Sequence, residues 1–151
     1  MMAKISFQLV TPERTVLREE LDSLSCPTSL GQITILPNHA PLVANLVPGE
    51  LKAKNGGQEH YIAVSGGFIE VKKGSEVVVL ADAAEHHYEI DAERAEEAKK
   101  RAEEALRQVS VSDEEYAKVA AAMERNLSRI KIARKHAHKK TPITGEGVFS
   151  E

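Results

Sequence analysis

Residues 74–108 read GSEVVVLADAAEHHYEIDAERAEEAKKRAEEALRQ, and the composition of the chain turns over inside this stretch. Its first part holds Val77-Val78-Val79-Leu80, a β-rich run that suits a buried strand. Its second part is Ala, Glu, Lys and Arg, the residues that fill helices. Toward the N-terminus, glycine and proline keep recurring: seven of the nine glycines lie at or before Gly74, and every proline but one at or before Pro48. Toward the C-terminus no glycine appears until Gly145, and no proline between Asp91 and Ala137. Such punctuation marks turns between strands, and its absence marks helix. The expected fold is α+β with two domains. A β domain occupies 1–84, a helical hairpin 85–138, and a flexible tail 139–151.

Within the β part, Ile5, Phe7 and Leu9 alternate with Lys4, Ser6 and Gln8, the period of a strand with one wet face. Thr11-Pro12-Glu13 reads as a turn. Further short strands are expected over Thr15–Glu20, Leu21–Pro27, Gln32–Leu36, Leu51–Lys54, Gln58–Val64, Phe68–Val71 and Glu76–Leu80. Asn55-Gly56-Gly57 signals a hairpin. Short antiparallel strands at this spacing argue for a sandwich or barrel.

In the helical part Asp91 is a good N-cap. Ala95, Ala98, Ala102, Ala105 and Val109 share one face. Glu96–Lys100, Glu97–Arg101 and Glu103–Arg107 are spaced as i,i+4 pairs. Ser112-Asp113-Glu114-Glu115 reads as a capping box, with Val111 and Tyr116 as a staple. Tyr116, Ala120, Met123, Leu127 and Ile130 then continue along one face, so two antiparallel helices are expected. Their seam is mostly alanine. A buried methylene contributes only about 0.8 kcal/mol, against roughly 1.5–3 kcal/mol for a large side chain. The hairpin should therefore be able to leave its docked position without melting.

The chain has 151 residues, 42% hydrophobic and 28% charged, with no Trp and six aromatic residues. That composition fits a globular protein. No run of about 18 apolar residues spans a membrane, and Met1–Val10 does not resemble a signal peptide. Cys26 is alone, which excludes an internal disulfide, fits a reducing compartment and suits a small buried strand residue. The net charge is −3. Between 125 and 140, however, Arg125, Arg129, Lys131, Arg134, Lys135, Lys139 and Lys140 occur with no acidic residue. A basic block on an acidic protein points to an acidic partner.

No phosphate-binding glycine loop and no nucleophile elbow occurs. His86-His87 point opposite ways on an extended chain, and no second His or Cys cluster supports a metal. His39 has no evident catalytic partner, and no enzyme signal emerges. Arg125 and Arg129 share a helix face, and in a hairpin the end of helix two returns toward Arg94 and Asp91 at the start of helix one. Such arginines suit a triphosphate, with Asp91 or Glu85 accepting from an adenine amine or a ribose. Ordinary surface ion pairing is the other reading, and the commoner one.

Gly31-Gln32-Ile33-Thr34-Ile35-Leu36-Pro37-Asn38-His39-Ala40-Pro41-Leu42 resembles the signature loop and strand of the epsilon subunit of F-type ATP synthases. Pro48-Gly49-Glu50-Leu51, Val64-Ser65-Gly66-Gly67-Phe68-Ile69-Glu70-Val71 and Val79-Leu80-Ala81-Asp82 do so too. Ile90-Asp91-Ala92-Glu93-Arg94-Ala95 is similar to the family's I/L-D-x-x-R-A nucleotide motif. The resemblance covers roughly residues 3–137 in one order.

That resemblance implies a ten-stranded antiparallel β-sandwich followed by a C-terminal antiparallel helical hairpin. It implies a non-catalytic rotor subunit on the central stalk of a proton-translocating synthase, at the cytoplasmic face of the bacterial plasma membrane. The implied partners are the gamma subunit, the membrane ring of c subunits and, when the hairpin extends, the alpha and beta subunits of the catalytic head. Neither nucleic-acid binding nor direct membrane insertion is implied. The extended hairpin would inhibit hydrolysis through a basic helix carrying Arg134, Lys135, Lys139 and Lys140. A regulatory ATP, with no obligatory cofactor and no metal, would sit at Glu85, Ile90, Asp91, Arg94, Ala95, Arg125 and Arg129. Ring contact would fall to Ser29, Leu30 and His39. Bacterial relatives often carry an acidic residue where this chain has Ser29. Two other classes compete: a nucleic-acid module using residues 125–140, and a small sandwich enzyme.

Overall fold

A computed structural model describes residues 3–108 and 113–137. Ten strands precede two helices: β1 Ile5–Val10, β2 Thr15–Leu21, β3 Ser23–Thr28, β4 Gly31–Ile35, β5 Leu42–Asn45, β6 Gly49–Asn55, β7 Gln58–Ser65, β8 Phe68–Lys72, β9 Glu76–Leu80, β10 Ala83–His86, then α1 Ala92–Gln108 and α2 Asp113–Lys135. A single 3-10 turn, His87–Glu89, joins β10 to the helices. The strands form two five-stranded sheets, β2-β1-β9-β8-β5 and β10-β7-β6-β3-β4.

The sheets face each other across one core. Ile5, Phe7 and Leu9 point inward from β1, Leu24 and Cys26 from β3, Leu51 and Ala53 from β6, Ile62 and Val64 from β7, Ile69 and Val71 from β8. Alternation of buried and exposed residues follows from the strand period. Burial pushes the Cys26 thiol up to about 12, as a structural cysteine in an apolar core requires. The hairpin turn falls where Asn55-Gly56-Gly57 places it, with Asn55 opposite Gln58. Gly67, at φ +96°, lies so close to the end of β9 that a Cβ there would come 2.0 Å from the Leu80 carbonyl oxygen.

Four readings need correction. The sandwich is not wholly antiparallel: β1 and β9 pair in parallel, Phe7 beside Val77 and Leu9 beside Val79. A period-two pattern fixes which face a residue occupies, not the direction of its neighbour. Spacing alone gave eight strands, because Leu42–Asn45 and Ala83–His86 are four residues each and carry little β-branched pattern. The run Val77–Leu80 is not buried throughout: Val77 and Val79 are, while Leu80 is 42% exposed. Finally β10 continues to His86, so the sheet extends past the boundary drawn at residue 84.

Asp91 caps α1, its Oδ1 accepting the Arg94 backbone N–H at 3.2 Å. The predicted capping box and staple at 111–116, and Val109, involve residues outside those described. So do Lys139, Lys140 and the tail. On α2 Asn126, Ile130 and Ile132 are buried, as is His136 in the turn that follows it, whereas Tyr116 and Leu127 are exposed. The helix serves two neighbours, α1 and the outer face of β6 and β7. A single apolar stripe therefore does not describe it. Glu103 and Arg107 do pair, at 3.8 Å. Glu96 reaches across to Arg134 of α2 instead of along its own helix to Lys100.

Candidate functional site

On the outer face of the second sheet, Glu50 of β6 and Glu85 of β10 both lie opposite Ala63 of β7. Two carboxylates thus flank a methyl group, and a helix can approach the sheet closely between them. Helix α2 packs on β6, β7 and the 3-10 turn. Its Arg129, Ile132 and His136 are spaced three and four residues apart, so they share a face. Arg129 pairs with Glu85 through Nε, and its Nη1 donates to Asn126 Oδ1 at 2.9 Å. At the other carboxylate, Lys135 Nζ donates to Glu50 Oε1 at 3.1 Å, and His136 Nε2 lies 2.5 Å from Glu50 Oε2. His136 is buried and stacks on Tyr61 of β7. Arg134 donates to Glu96 of α1 at 2.7 Å. The last turns of α2 are therefore held by three carboxylates, and both described members of the expected inhibitory stretch, Arg134 and Lys135, are paired.

Beside this latch a cleft of about 480 Å³ opens between α2 and the sandwich. Glu85, Arg125, Ser128 and Arg129 line one part of it, and Thr11, Arg14 and Glu89 another. Of the expected nucleotide residues, the cleft gathers Glu85, Arg125 and Arg129. Ile90, Asp91, Arg94 and Ala95 are not among its lining: Asp91 is engaged as the α1 cap, Arg94 is exposed, and Ala95 is fully buried. Arg14 and Glu89 were missed by sequence reading. They are 75 residues apart and meet through Arg14 Nη2 and Glu89 Oε1 at 2.9 Å. No local pattern announces that contact.

The electrostatics of the rim follow from these bonds. Burial works against the Glu89 carboxylate, but hydrogen bonds from Arg14 and from the His86 amide outweigh it and hold its pKa below the ordinary value. The Glu89 hydrogen bond raises Arg14 in turn. Burial lowers the pKa of His86, whose Nε2 faces the Val16 carbonyl at 3.3 Å.

Ser29 and Leu30 form the turn between β3 and β4, and Leu30 is 91% exposed. His39 follows β4, so it sits beyond the opposite end of that strand; its Nδ1 contacts the Ala40 carbonyl at 2.7 Å. Among the described residues no group of three His, Cys, Asp or Glu side chains is placed to hold a metal ion. No helix among them is long and apolar enough to cross a membrane.

Two family descriptions match along the chain: the beta-sandwich domain of the ATP synthase delta/epsilon chain over residues 4–87, and its long alpha-helix domain over residues 89–134. The chain belongs to the ATP synthase delta/epsilon family. An ATP synthase epsilon chain of Dehalococcoides mccartyi is 48% identical over 134 residues, covering 89% of this chain and 95% of its own length. Another, of Geobacter metallireducens, is 42% identical over 139 residues, covering 92% and 100%. Membership in the delta/epsilon family makes the chain a non-catalytic component of the synthase. Solved structures share the fold. A chain in the Euglena gracilis mitochondrial ATP synthase OSCP/F1/c-ring structure matches at TM-score 0.73 and 24% identity, over 91% of this chain and 83% of that one. A chain in the Tetrahymena thermophila mitochondrial ATP synthase central stalk/c-ring structure matches at TM-score 0.58 and 15% identity, over 87% and 99%.

Proposed function

We propose that this delta/epsilon chain is a rotor subunit of the central stalk of a bacterial, proton-translocating F-type ATP synthase. Its sandwich binds the gamma subunit and the c ring, with Ser29 and Leu30 at one end of β4 and His39 beyond the other as the proposed ring contacts, and couples ring rotation to the catalytic head. The chain acts peripherally, at the cytoplasmic face of the plasma membrane. Its hairpin has a docked form, and an extended form that meets the alpha and beta subunits and inhibits ATP hydrolysis through Arg134, Lys135, Lys139 and Lys140.

One observation carries the mobile-hairpin reading: Arg129 and Lys135 of α2 are paired with Glu85 and Glu50 of the sandwich on either side of Ala63. Partly exposed ion pairs contribute only about 0.2–1 kcal/mol each, and their partners can be exchanged for other carboxylates at little net cost. An acidic surface elsewhere would compete for the same cations. The nucleic-acid reading is weakened, because Arg129, Arg134 and Lys135 already have protein partners.

A regulatory ATP belongs to the cleft. Arg125 and Arg129 supply charge for its phosphates, and Glu85 supplies an acceptor. Ile90, Asp91, Arg94 and Ala95 of the nucleotide motif complete the proposed set, with Asp91 and Ala95 acting through the start of α1. A ligand that needs both walls favours the docked form.

Expression of the tagged chain in its host, followed by purification, tests the assignment. Recovery with alpha, beta, gamma and c subunits is expected. Recovery without gamma would overturn the stalk position. In that assembly, replacing Arg134, Lys135, Lys139 and Lys140 by Ala should raise ATP hydrolysis; unchanged hydrolysis with normal assembly removes the inhibitory role from those residues.

A further inference from the structure

Among the described residues, Arg14 is the one cation lining the cleft that comes from the sandwich. The tight turn after β1 fixes it. The Thr11 amide donates to the Arg14 carbonyl at 2.9 Å, and the Glu13 and Arg14 amides reach Thr11 Oγ1 at 3.3 and 3.2 Å. The backbone of Arg14 is thus anchored, while its guanidinium lies on the cleft wall with the side chain 47% exposed. Arg125 and Arg129 line the same cleft from α2, and Ser128 adds a hydroxyl between them. Arg129 is neutralised by Glu85 and Arg14 by Glu89, whereas Arg125 has no carboxylate partner among the described residues.

We propose that Arg14 is a phosphate-binding residue of this cleft, so that a bound nucleoside triphosphate bridges the sandwich and the hairpin through guanidinium groups on both. The proposal rests on the nucleotide reading of the cleft given above. Arginine suits the task, because its fork of N–H donors matches a phosphate and it is always charged. Glu89 pairs with Arg14 at 2.9 Å and so occupies the guanidinium that the ligand would take. An incoming polyphosphate exchanges one anionic partner of Arg14 for another. A ligand held from both sides has no equivalent site once the hairpin departs, which makes the cleft selective for the docked form. Glu89 then sets the threshold, since its carboxylate competes for Arg14 and repels the phosphates.

Calorimetric titration of the full chain with ATP and with AMP, for the wild type and for Arg14→Ala, Arg14→Lys, Glu89→Gln and the Arg14→Ala/Glu89→Gln double variant, tests this. Loss of a charge-assisted contact should weaken ATP binding about tenfold in Arg14→Ala. Lys should restore part of it, and AMP should be affected less than ATP, which a merely structural role would not produce. Glu89→Gln should tighten ATP binding, and that gain should shrink in the double variant. Equal ATP affinity in wild type and Arg14→Ala, or a full Glu89→Gln gain without Arg14, would overturn the role of Arg14 while leaving the cleft reading standing. No ATP binding by the wild type would remove both.

Discussion

The ring of His136, from the end of α2, stacks on that of Tyr61 in β7 with centroids 3.7 Å apart and planes 21° from parallel. The same His136 contacts Glu50, and His87 from the 3-10 turn meets it edge-on at 5.3 Å. All three rings are buried, and His136 lies at the end of the described part of the hairpin. Opening should therefore begin with loss of this contact. An aromatic pair is worth about 0.5–1.5 kcal/mol beyond its area, and a hydrogen bond to a charged group about 1.5–3 kcal/mol. His136→Ala should raise the undocked fraction tenfold or more. A distance probe between α2 and β7 reads this directly, with the thermal midpoint of the sandwich unchanged.

A chain ending after His87 should fold cooperatively. All ten strands are then present, and the core from Ile5 to Ala81 includes no residue of α1 or α2. The measurement is a denaturant titration followed by strand signal. A broad, uncooperative transition would show that the helices are needed for the sandwich.

Gly67→Ala should be among the most damaging single changes in the sandwich. Its φ of +96° lies outside the regions ordinary residues occupy, and the new Cβ would collide with the backbone at Leu80. A loss of about 3 kcal/mol or more is expected, from backbone strain and displacement of the β9 end together. Chemical denaturation of the purified variant checks it. Gly57→Ala, where nothing lies within 4 Å of the added atom, serves as the mild comparison.

Acid should destabilise the fold in two windows. Burial lowers the pKa of His86 in the folded state, so below the ordinary histidine value of about 6.5 the unfolded chain takes up a proton that the folded chain refuses. That stability is complete above about 6.5 and is lost as pH falls toward the lowered folded value. Glu89 is also lowered, despite its burial, by Arg14 and the His86 amide. Its contribution is complete above the unfolded carboxylate value of about 4.3 and is lost as pH falls further. Thermal midpoints measured from about pH 7.5 to about pH 2.5 should fall less steeply for His86→Gln in the upper window and for Glu89→Gln in the lower.

Much of the architecture was legible because it is local. The Asn55-Gly56-Gly57 turn, the Asp91 cap and the alternation of Ile5, Phe7 and Leu9 each follow from a few neighbouring residues. The parallel pairing of β1 with β9 was not legible, since it joins strands about 70 residues apart and leaves no periodic trace. β10 was not either: Ala83–His86 is a strand because Ser65, Val64, Ala63 and Ile62 stand opposite it. For the candidate site, sequence spacing placed Arg125 and Arg129 on one face. It could not find Arg14 against Glu89, or Glu50 beneath Lys135 and His136, because those contacts are made only when two domains meet. The alanine seam suggested weak docking, but it did not reveal that Glu50 and Glu85 anchor the helix on either side of Ala63.

The central claim is that Glu50 and Glu85 hold α2 against the sandwich and so withhold its basic end from the catalytic head. The most direct measurement is ATP hydrolysis by the reconstituted synthase carrying Glu50→Gln/Glu85→Gln. Freed of both carboxylates, the hairpin should extend more often, its extended-to-docked ratio rising about fivefold or more if each lost anchor is worth at least about 0.5 kcal/mol, and hydrolysis should fall below that of the wild-type assembly. Hydrolysis equal to or above the wild type, in a fully assembled complex, would contradict the account.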